Sequence, residues 1–196
     1  MHLDLTTLLT AAGLSSAALA VALLSSWILF RNEKHLLVWA IGLAAIITSI
    51  VLYNSGDGYP TLLRLPAMVL LVVGFVAIDC GSSLFCARRL SWRLPCAIGV
   101  VGVVAVTLLF MEGLSGLATA CANAAVAILM LLTGWRFWVH RHEALLGMGA
   151  IAMLYGATAL SFVACAAVLF IEGPAILTAR PVSYTHLRAH ETGRNL

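Results

Sequence analysis

Six long apolar runs, separated by short polar connectors, account for most of this chain. They extend from Leu8 to Phe30, Leu36 to Tyr53, Leu65 to Cys86, Cys96 to Met111, Leu117 to Trp135 and Ala144 to Ile171. An α-helix rises about 1.5 Å per residue, so about 20 apolar residues cross the roughly 30 Å hydrocarbon layer of a bilayer. Each run therefore predicts a membrane-crossing helix, and the fold class is all-α, a polytopic bundle of six transmembrane helices. The fourth run is short and gains Leu94 and Pro95 if its helix starts early. The sixth is long enough to tilt or to end among the headgroups.

Composition agrees with the pattern. The chain is 62% hydrophobic and only 10% charged, whereas a soluble domain carries charge at roughly a quarter of its positions. The lipid bilayer is thus the first partner. The formal net charge is +3, and the basic residues sit in short clusters between the runs, so nucleic acid is not expected as a partner.

The connectors alternate in charge, which predicts an orientation. "RNEKH", "ARRLSWR" and "RFWVHRHE" hold Arg31, Lys34, Arg88, Arg89, Arg93, Arg136 and Arg141, while "NSGDGYP" and "MEGLSG" hold no Lys or Arg. Arg64 and Arg180 fall on the second side. The excess of Lys and Arg marks the first side as cytoplasmic and places the N-terminus outside. Trp27, Phe30 and Trp39 flank the first basic connector, and Trp135, Phe137 and Trp138 flank the third, as expected of rings in the headgroup layer. "MHLDLTT" lacks the basic start of a secretion signal, so the first run is read as a retained helix.

Few polar groups lie within the runs. Asp79, in "VAIDCGSS", is the one acidic residue well inside a span, where a charge costs about 2.5–3.5 kcal/mol. It is read either as a ligand or proton site facing the bundle interior, or as a carboxyl that reaches water or the hydroxyls of Ser82 or Ser83. Arg64, at the outer end of the third span, has a stem long enough to reach the headgroups. Asn123, in "TACANAAV", is placed to hydrogen-bond a neighbouring helix. These three form the candidate intramembrane site.

His140, His142 and Glu143 in "HRHE" are too few and too divergent in direction for a metal site, so neither a metal nor a cofactor is expected. Catalytic residues are likewise not expected, since there is no phosphate loop, no nucleophile beside a base and no carboxylate pair. Cys80, Cys86, Cys96, Cys121 and Cys165 lack CxxC spacing and read as small buried hydrophobes. The small-residue spacings Ala118/Ala122, Ala120/Ala124 and Ala152/Gly156 predict close helix approach.

The N-terminal half also carries a resemblance. "LDLTTLL", "SSWILFRNEKH", "LLVWAIGLAAI", "LPAMVLLVVGF" and "LFCARRL" together resemble the membrane input region of bacterial GGDEF diguanylate cyclases, best over Leu3 to Arg89 and weakly to Ile171. The resemblance implies a bacterial inner-membrane sensor, acting as a homodimer, that controls a cytoplasmic domain making cyclic di-GMP from two GTP. No GGDEF motif occurs in the sequence, so no catalytic residue is carried over. Six crossings from an outside N-terminus end outside, and such an output domain would follow a seventh helix. Two other classes fit the spans: a small multi-pass transporter or channel, and the input region of a histidine kinase or a cyclic di-GMP phosphodiesterase.

The last residues differ in kind. "VSYTHLRAHET", from Val182, resembles one reading frame of a transposase-based sequencing adapter, with Pro181, Asn195 and Leu196 compatible with its flanks. Residues 1–180 are accordingly read as the transmembrane input region. Residues 181–196 are read as a non-native, disordered tail, and His186, Arg188, His190 and Glu191 are excluded from any site. The native reading frame is expected to continue beyond about Arg180.

Overall fold

A computed structural model describes the backbone of residues 5–54, 60–87, 92–141 and 147–178, and the side chains of residues 13–54, 63–86, 92–141 and 147–171. Six helices follow in order: α1 (Leu5–Leu29), α2 (Lys34–Asn54), α3 (Pro60–Ala87), α4 (Arg93–Met111), α5 (Ser115–Val139) and α6 (Met148–Thr178). Among the described residues there is no strand. Helices are the expected solution, because lipid offers no hydrogen bond to a backbone N–H or C=O and the helix satisfies both internally. The adapter-like tail lies outside the described residues.

Five of the six are long and apolar enough to cross a membrane: Lys34–Asn54, Leu63–Cys86, Arg93–Met111, Ser115–Val139 and Met148–Ile171. In α1, the apolar stretch with described side chains is Gly13–Leu29, which is shorter than a full crossing. The fourth helix does begin early. It takes in Leu94 and Pro95, and Pro95 in the first turn needs no N–H donor there.

The connectors are tight where they are described. Between α1 and α2 the chain turns through hydrogen bonds from Phe30 N to Ser26 O at 2.8 Å and from Glu33 N to Phe30 O at 3.0 Å. After α4, Gly113 adopts φ +78°, a conformation that a side chain disfavours. Leu114 N then reaches back to Leu109 O at 2.9 Å and Gly113 N to Phe110 O at 3.1 Å. This is a Schellman end, which satisfies the last carbonyls of α4 and starts α5 at once.

The helices are arranged around α3 and α5. Among the described residues α3 packs on α2, α4 and α5, whereas α5 packs on α3, α4 and α6; α1 touches only α2. Met68 and Val72 of α3, Val106 of α4, Ala122, Val126 and Met130 of α5, and Ala159 of α6 meet in the main core. The outer faces of α1 and α6 keep large apolar side chains exposed, as lipid-facing surfaces do.

Glycines set the closest approaches. A methyl group added at Gly74 would lie 2.6 Å from Ile46 Cγ1 and 2.9 Å from Gly42 O, so α2 and α3 touch backbone to backbone. Ser49 Oγ ties the same pair by donating to Ala67 O at 2.7 Å. The expected Ala152/Gly156 contact also forms: a methyl group at Gly134 of α5 would lie 3.2 Å from Ala152 O and 3.8 Å from Gly156 N. Ala118 and Ala122 are buried in the core, as is Ala120.

Candidate functional site

The site grows from one face of α5. Thr133 and Arg136 are three residues apart, which puts both side chains on the same side of the helix. That side faces α3 at Asp79, whose side chain is 0% exposed. Thr133 Oγ1 donates to Asp79 Oδ1 at 3.0 Å, and Arg136 Nε donates to the same oxygen at 3.2 Å. Asp79 Oδ2 is buried and has no hydrogen-bond partner among the described residues. The carboxylate is therefore half satisfied.

Depth explains why an arginine can serve here. Asp79 lies seven residues before Cys86 at the end of the apolar stretch, about 10 Å along the axis. Arg136 sits three residues from the end of α5 and keeps its side chain 17% exposed. Its stem can thus run along apolar surface into the bundle while its base remains near the helix end.

Rings enclose the pair. Trp39 of α2 lies against Gly81, where a methyl group would come within 2.5 Å of its Cδ1. Trp39 Nε1 donates to Ile78 O at 3.2 Å and to Ser82 Oγ at 3.3 Å. From Trp39 the rings continue to Phe85 at 5.5 Å, from Phe85 to Phe137 at 6.1 Å, and from Phe137 to Tyr155 of α6 in a stack at 5.8 Å. His35 closes the other end, 5.1 Å from both Trp39 and Phe85, with Nδ1 at 3.3 Å from Glu33 Oε2. Aromatic contacts thus run through four helices at this level, α2, α3, α5 and α6.

Two expectations about aromatic residues change. Trp39 and Phe137 face the bundle interior rather than lipid; Trp39 is packed on α3 and Phe137 is buried. Both face inward because glycine and small neighbours leave room for a ring. Trp135 and Trp138 do face outward, and the Arg141 guanidinium lies 4.2 Å over the Trp138 ring.

The candidate residues are not brought together. Asn123 is half-buried on α5 ten residues before Thr133, about 15 Å away along the helix. Arg64 is exposed on α3, fifteen residues before Asp79 and about 22 Å from it. Nor do the neighbouring serines supply the protons that satisfy Asp79. Ser82 Oγ donates to Ile78 O and Ser83 Oγ to Cys80 O, each at 2.8 Å, as serines inside helices commonly do. Arg88, His142 and Glu143 lie outside the described residues.

Arg136 entered the sequence analysis only as a topological charge, and Thr133 not at all. The signal that could have found them is a Thr-x-x-Arg pair at the cytoplasmic end of one span, opposite the lone acidic residue of another at similar depth. Comparison with family models, with curated proteins and with solved structures found no match to this chain.

Proposed function

We propose that this chain is a membrane-embedded sensory input module of a bacterial inner-membrane protein, with its N-terminus outside, controlling a cytoplasmic diguanylate cyclase domain as a homodimer. Two sequence features support the reading: the resemblance over Leu3 to Arg89 and the concentration of Lys and Arg in alternate connectors. The observation that carries it is the link from Thr133 and Arg136 to Asp79. A buried ion pair adds little net stability relative to apolar side chains, and its best-attested use is to specify one arrangement. Here it clasps α3 to α5 just before both helices lead into basic connectors. With one carboxylate oxygen lacking a donor among the described residues, the clasp is poised to be rearranged by a signal acting from within the membrane.

A transporter would bring several polar groups together near the midplane. The described residues set Arg64, Asp79 and Asn123 at different depths instead, which favours the sensor.

The test begins by recovering the reading frame from genomic template. It should continue through one more apolar span into a GGDEF-type domain, and a stop codon soon after Arg180 would overturn the reading in favour of the transporter class. In the full-length protein, Arg136→Gln should change cellular cyclic di-GMP at equal membrane abundance. Unchanged levels would remove the clasp from the signalling path.

A further inference from the structure

The register between α3 and α4 can be followed contact by contact. A methyl group at Gly102 of α4 would lie 3.7 Å from Val72 Cγ1 of α3, and one at Gly99 would lie 2.6 Å from Val76 Cγ2. The two helices run in opposite directions, so each turn forward on α3 matches a turn back on α4. The next rung after Val72/Gly102 and Val76/Gly99 is Cys80/Cys96. The Cys80 thiol lies close enough to Cys96 there to interact with it. Both cysteines are in the free form.

We infer that Cys80 and Cys96 are a redox-active dithiol, which a lipid-soluble quinone closes into a disulfide across the α3–α4 interface. A disulfide needs Cα atoms about 4.4–6.8 Å apart, and the glycines one and two turns away bring the α4 backbone directly onto α3 side chains. The two thiols differ in access. Cys80 is buried, whereas Cys96 is half-buried in the first turn of α4. Cys96 is the attacking sulfur and Cys80 its partner.

The oxidant follows from the surroundings. Cys80 lies six residues inside the end of the apolar stretch, and α4 presents Val100, Val101 and Val104 to lipid, so an oxidant dissolved in the bilayer has access. The reaction balances with a quinone: two S–H bonds break, one S–S bond forms, and two electrons and two protons convert quinone to quinol. Asp79 adjoins Cys80 in the chain, which places the dithiol next to the ion pair. The thiol chemistry itself does not depend on any output domain.

The experiment uses the full chain reconstituted in phospholipid vesicles and treated with duroquinone, whose fully substituted ring disfavours direct addition of thiols. After denaturation, maleimide should label three of the five cysteines, and peptide mass spectrometry should find Cys80 joined to Cys96 with the loss of two hydrogen atoms. Cys80→Ser and Cys96→Ser should each leave every remaining thiol open to maleimide, whereas Cys121→Ser should still form the bridge. Labelling of all five cysteines in the untreated sequence and in the quinone-treated protein alike, or a bridge mapped to another pair, would overturn the inference. The peptide map of the unsubstituted chain decides the matter even if a serine variant fails to fold.

Discussion

Arg136 of α5 donates from Nε to Asp79 Oδ1 of α3 across 3.2 Å, while the second oxygen of the same buried carboxylate meets no donor among the described residues. The two partners do not stand equally. Arg136 lies near a helix end with its side chain partly exposed, whereas Asp79 is enclosed.

Removing one partner should therefore be asymmetric. Arg136→Ala leaves a carboxylate buried without its countercharge and should cost about 3–5 kcal/mol. Asp79→Asn leaves a guanidinium that can turn toward the headgroups, and should cost nearer 1–2 kcal/mol. Replacing both by leucine should recover most of the loss. Reversible unfolding in mixed detergent measures all three; equal costs for the two single variants would contradict the asymmetry.

The glycines make a second comparison. Gly74→Ala places its methyl group 2.6 Å from Ile46 and 2.9 Å from the Gly42 carbonyl, whose backbone cannot give way without moving α2. A loss of about 1–3 kcal/mol is expected, as for other overpacked sites. At Gly156 the added methyl group meets nothing within 4 Å, so Gly156→Ala should be neutral or stabilise by about 0.5–1 kcal/mol through the gain in helix propensity. Thermal unfolding of the two variants in the same detergent checks the contrast, and a stable Gly74→Ala protein would mean that α2 and α3 are farther apart.

Orientation is tested by reporters. With the N-terminus outside, a periplasmic phosphatase fused after Arg180 should be active and a fluorescent cytoplasmic reporter at the same place dark. Fusions in the connector at Asn32 should behave oppositely. The reverse pattern at both sites would invert the assignment drawn from the Lys and Arg distribution.

Much of the fold was legible without coordinates. Each helix coincides with an apolar run to within a few residues, apart from the end of α6, where the helix continues to Thr178. Asp79 also stood out, because an acidic residue inside an apolar run is costly and must be accommodated. Its partners were less visible. Thr133 is an ordinary span residue, and Arg136 is one of several basic residues in connectors that the charge rule already explains. Cys96 looked like any other small apolar residue until its register against Cys80 was known.

The number and limits of the helices were thus decided by the sequence itself, since lipid enforces internal backbone hydrogen bonding on every long apolar run and this is a local property. The neighbours of each helix were decided only in the tertiary structure. These helices are apolar on nearly every face, so no amphipathic stripe distinguishes the side toward lipid from the side toward protein. Rotation and register are instead set by where backbones can approach, at Gly42 and Gly74, at Gly99 and at Gly134. Those approaches, between segments far apart in the chain, bring Arg136 to Asp79 and Cys96 to Cys80.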